Sequence, residues 1–177
     1  ITHEYGHGVS LRLTGGGAGS CLSNQEQAGE GWSDFFGLAL TQKSNDDPYL
    51  NRGIGSFVSG QQIREVGIRP YPYHVDTSIN PARYGWLLDP LKISQPHGIG
   101  YVWCSMLWDL NWALRESNGF EPDFYNNTST AGNIIALHLV VQGLKLQTCN
   151  PGFVDARNAI LLADTLMYNG ANSCRIW

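Results

Sequence analysis

Residues 3–7 read His-Glu-Tyr-Gly-His and have the spacing of a catalytic metal site. On a helix these two histidines are about one turn apart, so the side chains of His3 and His7 lie on the same side. Two imidazole nitrogens placed in this way form half of a tetrahedral zinc site, with Glu4 beside the open coordination position. A carboxylate there can act as a general base and take a proton from zinc-bound water. The motif therefore predicts two zinc ligands and a catalytic glutamate, against the alternative of a helical turn that carries these residues by chance.

The third ligand must come from elsewhere in the chain. A motif that continues to a third histidine needs glycine at position 10 and histidine at position 13, where this chain has Ser10 and Leu13. The other arrangement takes a glutamate from a second helix. Glu30 is predicted to be that ligand, and Asp34, one turn later, is predicted to hydrogen-bond to a zinc-bound imidazole. Glu26, one turn earlier, is the alternative ligand.

These residues must be positioned by helices, and the spacing of apolar residues predicts a mainly α-helical fold. The predicted helices run from the start to about Leu13, from Gln25 to about Gln42, from His97 to about Ser117, from Ala131 to Leu146 and from Asp155 to Tyr168. Gly6 and Gly8 weaken the first helix and suggest that another backbone approaches it closely. Residues 43–96 contain six of the eight prolines and no sustained period, which predicts a long irregular segment with a functional role. His138 is interpreted as a core histidine.

The composition of the chain argues against a nucleic-acid-binding protein and against a membrane-spanning one. The chain has 177 residues, for which one domain (1–177) is expected, and its net charge of −4 lacks the basic character of a nucleic-acid-binding surface. No apolar run reaches 18 residues, so no membrane span is predicted. Overlapping acceptor sequences for N-linked glycosylation at Asn126 and Asn127 fit a secreted glycoprotein, although chance explains them equally well.

Longer stretches of the sequence resemble the fungalysin family of secreted zinc metalloendopeptidases, relatives of the thermolysin-like enzymes. The resemblance rests on HEYGHGVSLRLTGG and GEGWSDFF, on GIRPYPY, on PHGIGYVW and on CNPGFVDAR, and it covers essentially the whole chain. Two positions depart from the family pattern, since Gly6 stands where a larger residue is usual and Cys104 where a small one is usual. Neither is a proposed ligand.

The resemblance also implies catalytic roles for two residues outside the zinc motif, His97 and Arg69. His97 matches the family stretch that holds the developing oxyanion, against the alternative of a structural histidine at a helix start. Arg69 matches an arginine that helps to polarise the scissile carbonyl. The resemblance also implies one Zn²⁺ per chain, protein or peptide substrates, and the helical zinc-carrying subdomain of a thermolysin-like metalloprotease. Its expected partners within the same precursor are a propeptide and an N-terminal β-rich part.

The start of the chain predicts a fragment. Because the sequence opens two residues before the first proposed ligand, we expect a piece of a longer precursor, truncated at both ends, whose secretion signal lies upstream. The competing function is therefore a catalytically inactive module, zinc-bound or apo, that acts in binding or structure because the β-rich half of the cleft is missing. Protease activity with and without a chelator separates the two hypotheses.

The four cysteines show no Cys-x-x-Cys pair, which argues against a thiolate zinc site. Cys149 and Cys174 flank the last predicted helix, and secretion supplies an oxidising compartment, so a disulfide between them is predicted. Cys21 and Cys104 are the remaining pair.

Overall fold

Six α-helices provide most of the regular structure in residues 1–17, 19–89 and 91–177, the part of the chain that the computed structural model describes. They are α1 (Thr2–Leu13), α2 (Gly29–Ala39), α3 (His97–Asn118), α4 (Gly132–Leu146), α5 (Phe153–Tyr168) and α6 (Ser173–Ile176). The mainly helical fold predicted from the sequence is confirmed. The second helix is shorter at both ends than predicted. Helix α5 ends at Tyr168, and the left-handed conformation of the capping residue Asn169 agrees with the predicted stop at Asn-Gly.

The core forms where α2 and α3 pack together, because both helices are apolar around most of their circumference. Trp32 and Phe35 of α2 are fully buried, and the Trp32 ring meets the edge of Trp103 from α3 at a centroid distance of 5.0 Å. Each large apolar side chain buried in this way contributes about 1.5–3 kcal/mol. The core therefore fixes α2, which carries one of the predicted ligands, against the longest helix of the chain.

Two glycines allow the helices around the predicted site to approach closely. A Cβ added at Gly6 of α1 would lie 2.8 Å from the Cα of Ser33 in α2. Gly31 of α2 lies against the backbone of Gly100 in α3 in the same way. The prediction that glycine in the first helix marks the approach of another backbone is therefore confirmed at Gly6. It is not confirmed at Gly8, where a Cβ would meet no atom within 4 Å.

The segment from residue 43 to residue 96 is irregular, as predicted, with Pro90 outside the described residues. Its regular structure within the described part consists of a 3₁₀ turn at Tyr84–Leu88 and two isolated β-bridges. In one bridge the backbone amides and carbonyls of Arg52 and Tyr73 pair at 2.9 and 3.1 Å. Backbone pairing of this kind fixes a loop in place without a sheet.

The predicted disulfide between Cys149 and Cys174 is wrong, and so is the leftover pair of Cys21 with Cys104. Cys149 is bonded to Cys21, while Cys104 and Cys174 are free thiols. The backbone amide of Asn150 donates to the carbonyl of Cys21 at 2.9 Å, so the connection before α5 lies directly against the residue that follows the first glycine-rich turn. Helix α5 has 16 residues and therefore separates its two ends by about 24 Å. The chain after it turns to pack on α3 and α5 and does not return to Cys149.

Among the residues that the structure describes, no helix combines the length and the apolar character that crossing a bilayer requires.

Candidate metal centre

Helices α1 and α2 bring three potential metal ligands together. His3 and His7 lie one turn apart on α1, with their Nε2 atoms 3.2 Å apart. Glu30 lies in the first turn of α2, with its carboxylate oxygens 3.4 Å from Nε2 of His3 and 3.6 Å from Nε2 of His7. This is the one group of three or more histidine, cysteine or acidic side chains that converges closely enough to hold a metal ion in the described part of the chain.

The distances within this group fit a zinc ion. Ligand atoms at about 2.0–2.1 Å from a tetrahedral zinc ion lie about 3.3 Å from one another. The three observed separations, 3.2, 3.4 and 3.6 Å, are close to that value, with Oε2 of Glu30 nearer to His3 and Oε1 nearer to His7. Two imidazole nitrogens and one carboxylate oxygen are also the donor set of a catalytic zinc site with an open fourth position. The residues present therefore fit the metal that the sequence predicts.

Asp34 faces the other side of the first imidazole. Its Oδ1 lies 2.7 Å from Nδ1 of His3, and its side chain is fully buried. A carboxylate at this distance favours the tautomer with the proton on Nδ1, which leaves the lone pair of Nε2 free for a metal. Burial raises the pKa of Asp34, but hydrogen bonds from His3, Arg69 and Tyr73 and the positive charge of Arg69 outweigh it, so the pKa lies below its ordinary value.

Arg69 lies beneath both carboxylates. Its Nε and Nη2 donate to the two oxygens of Asp34 at 2.6 and 2.9 Å, and Nη2 also donates to Oε2 of Glu30 at 2.9 Å. The side chain is buried. Burial lowers the pKa of Arg69, but its hydrogen bonds with Asp34 and that group's negative charge raise it by more, so the guanidinium stays protonated. Its role toward a scissile carbonyl stays a prediction, and its observed contacts are with Asp34 and with the candidate ligand Glu30.

The sequence reasoning missed Tyr73. Its hydroxyl donates to Oδ2 of Asp34 at 2.5 Å, and its side chain is fully buried. Tyr73 lies four residues after Arg69, so one loop supplies both groups that hold Asp34. The only signal in the sequence was the tyrosine-rich run after Arg69, which gives no indication of the direction in which any one tyrosine points.

His97 and Glu4 are the two predicted catalytic residues, and both have exposed side chains. His97 is the first residue of α3, its side chain is 60% exposed, and its Nε2 lies 3.5 Å from Oε1 of Glu30. Glu4 is exposed on α1, next to His3 in the sequence. The exposed imidazole of His97 lies beside the candidate ligand Glu30 and is accessible to a substrate. Their catalytic roles stay predictions.

Two other residues considered in the sequence lie elsewhere. Glu26, the alternative ligand, accepts hydrogen bonds from the backbone amide of Phe153 at 2.7 Å and from the hydroxyl of Tyr84 at 2.9 Å. It therefore interacts with the start of α5, where the helix dipole favours a negative charge. His138 is partly buried in α4, with Nδ1 2.8 Å from the hydroxyl of Tyr168.

The sequence matches a known protein family along the whole chain. The sequence model of the fungalysin metallopeptidase family matches residues 1–177. The chain is similar to extracellular metalloproteinase 4 of Arthroderma otae, with 43% identity over 186 aligned positions, and to extracellular metalloproteinase 1 of Trichophyton equinum, with 42% identity over 184. Both alignments cover the whole of this chain but only 28% and 29% of the relatives. The chain thus spans a little over a quarter of the length of the curated relatives that it matches.

Proposed function

The chain belongs to the fungalysin metallopeptidase family, and from that premise we propose that it is the zinc-carrying part of a secreted endopeptidase that hydrolyses peptide bonds. The observation that carries this proposal is the convergence of His3, His7 and Glu30, whose nearest ligand atoms lie 3.2–3.6 Å apart, a spacing that suits a tetrahedral zinc site. The relatives at 42–43% identity are named extracellular metalloproteinases, which supports both the reaction class and an extracellular location.

His3, His7 and Glu30 would hold the metal. A zinc ion bound there supplies Lewis acidity, which makes water a nucleophile at neutral pH and polarises a carbonyl oxygen. The buried carboxylate of Asp34 orients His3 from behind, and Arg69 holds Asp34 and Glu30 in a fixed relation to each other. These contacts fix the ligands before any metal binds, as a catalytic site requires.

Glu4 and His97 would carry out the proton transfer and the charge stabilisation. Glu4 accepts a proton from the attacking water and passes it to the nitrogen of the leaving amine, a general base that becomes a general acid. His97 donates a hydrogen bond to the oxygen that becomes negative in the tetrahedral transition state. Both side chains are exposed, so a peptide can reach them without rearrangement of the helices. Protein or peptide substrates follow from this chemistry.

The experiment that tests the proposal combines metal analysis with proteolysis. The protein is assayed on an unstructured protein substrate with and without a zinc chelator, and then after zinc is added back. Activity that disappears with chelator and returns with zinc is the expected result. Zinc binding without proteolysis would support the competing function, in which the chain is a non-catalytic module that lacks the other half of its cleft. A chain without bound zinc would contradict the metal site itself.

Two variants separate the ligand from the base. Glu30→Ala removes a ligand and is expected to lose zinc and activity together. Glu4→Gln keeps the shape of the side chain but removes its basicity, so zinc content should be unchanged while kcat falls by about 10²-fold or more. Full zinc content in Glu30→Ala would transfer the third-ligand role to another residue. Normal turnover in Glu4→Gln would exclude it as the base.

A further inference from the structure

The carboxylate of Asp34 has hydrogen-bond donors in addition to its contact with His3, a proposed zinc ligand. Oδ1 faces Nδ1 of His3 and Nη2 of Arg69, while Oδ2 accepts from Nε of Arg69 and from the hydroxyl of Tyr73. Oδ2 therefore has two donors, and Oδ1 has one donor together with the close approach of Nδ1 of His3. Because Asp34 is fully buried, no solvent replaces a donor that is removed.

The position of the Tyr73 hydroxyl is fixed from several directions. The backbone of Tyr73 pairs with that of Arg52 in an antiparallel bridge, and its ring packs against the ring of Tyr101 at a centroid distance of 5.3 Å. The side chain is fully buried. Burial raises the pKa of Tyr73, and the negative charge of Asp34 raises it further, so the hydroxyl keeps its proton. It is consequently a rigid hydrogen-bond donor aimed at one oxygen of Asp34.

We propose that Tyr73 is a positioning residue of the zinc site, whose hydroxyl holds the Asp34 carboxylate in the orientation that aligns His3 for the metal. This inference rests on the proposed zinc function. Arg69 binds both oxygens of Asp34 from one side. The two hydrogen bonds lie close to one plane, so the carboxylate can still tilt relative to the guanidinium group. A donor on Oδ2 from a second direction removes that freedom. The loop that carries Tyr73 thereby contributes to metal affinity without contacting the metal.

The test is the zinc affinity of Tyr73→Phe, which deletes the hydroxyl and keeps the ring. Removal of an outer hydrogen-bond partner of a metal ligand weakens metal binding 10–100-fold, and Tyr73 acts one contact further out, so we expect the zinc Kd to rise about tenfold. The measurement is competition with a chelator of known zinc affinity, with the melting temperature of the metal-free protein recorded in parallel. An unchanged Kd would overturn the proposal.

Tyr101→Phe is the matched control. Tyr101 is also fully buried, packs against Tyr73, and donates its hydroxyl to Oδ1 of Asn80. Its removal costs the same type of buried hydrogen bond without touching Asp34. The zinc Kd of Tyr101→Phe should equal that of the unmodified protein. An equal loss of zinc affinity in both variants would mean that the packing of the two rings, and not the hydrogen bond to Asp34, is responsible.

A double-mutant cycle with Asp34→Asn distinguishes action through Asp34 from a general effect on the fold. If Tyr73 acts through this carboxylate, Tyr73→Phe in the Asp34→Asn background should leave the zinc Kd as it is in Asp34→Asn alone. The melting temperature of the metal-free double variant is recorded in the same way, to show that it folds. A further tenfold loss in the double variant would overturn the proposal. Absence of zinc binding by the unmodified protein would overturn the zinc function and this inference together.

Discussion

Gly6 lies between the two histidines of α1, and its replacement by alanine tests whether helix spacing sets the metal triangle. The added Cβ would lie 2.8 Å from Cα of Ser33 and 3.2 Å from both its Cβ and its Oγ. Carbon atoms in favourable contact are about 3.5–4.0 Å apart, so α1 and α2 would have to separate by about 1 Å. The nearest atom belongs to the backbone and cannot rotate away.

Gly6→Ala is expected to weaken zinc binding and to leave the metal-free protein folded. The edges between the α1 histidines and Glu30, now 3.4 and 3.6 Å, would approach about 4.5 Å, well above the value of about 3.3 Å that tetrahedral zinc requires. We expect zinc affinity to fall at least about tenfold. Overpacking costs about 1–3 kcal/mol, offset by the gain of about 1 kcal/mol when alanine replaces glycine in a helix. The net cost of about 0–2 kcal/mol should therefore lower the melting temperature of the metal-free protein by no more than about 8 °C.

Gly8→Ala is the control, because it makes the same change in the same helix where no atom lies within 4 Å of the new Cβ. It should raise the melting temperature by about 2–4 °C and leave zinc affinity unchanged. Adding Ser33→Gly to the Gly6 variant removes two of the three close contacts and should restore part of the affinity. Chelator competition and thermal unfolding of all four proteins are the measurements. Wild-type zinc affinity in Gly6→Ala would refute the claim that the spacing of α1 and α2 determines the site.

Three further predictions concern residues around this core. His97→Phe should lower kcat and kcat/KM together by about 10²–10³-fold, with zinc content unchanged, whereas a loss of zinc would make it a ligand. Arg69→Lys loses the bridge between two carboxylates and should weaken zinc binding about tenfold; full zinc affinity with a reduced kcat would instead support the oxyanion role. Cys149→Ala opens a link across 128 residues and should cost at most about 5 kcal/mol of unfolding free energy, whereas Cys174→Ala should cost less than about 0.5 kcal/mol.

The parts of the site that follow from short-range spacing could be predicted from the sequence. The distance from His3 to His7 and from Glu30 to Asp34 is one helical turn in each case, and a helix converts that spacing directly into a shared face. The structure brings three of these side chains into one group and places Asp34 behind His3. The helix limits followed from the same periodicity, except at the ends of α2, where the flanking sequence is polar but forms turns, and except for the short helix α6, which was not predicted.

The disulfide shows why spacing fails at long range. The pair of Cys149 with Cys174 was predicted because they flank one helix, yet a straight helix of 16 residues holds its ends about 24 Å apart. The observed partner, Cys21, lies 128 residues away in sequence, next to the chain that enters α5. That proximity results from the packing of α1 against α4, which no local pattern encodes.

Local sequence patterns also did not predict that the irregular segment supplies Arg69 and Tyr73 to the candidate metal site. Glu30 and Asp34 each carry a formal charge of −1, and burial of two carboxylates within one turn is unfavourable unless a cation lies between them. Arg69 provides it, which leaves a net charge of −1 that still attracts a divalent metal. A helix could not place Arg69 and Tyr73 on the same carboxylate from two directions, since residues four apart on a helix project the same way. The loop from Gly67 to Tyr73 can place them in this way, because β-bridges hold its two ends against residues 54 and 52. The irregularity of this segment is therefore a requirement of the site, since it allows two donors to reach one buried oxygen at once.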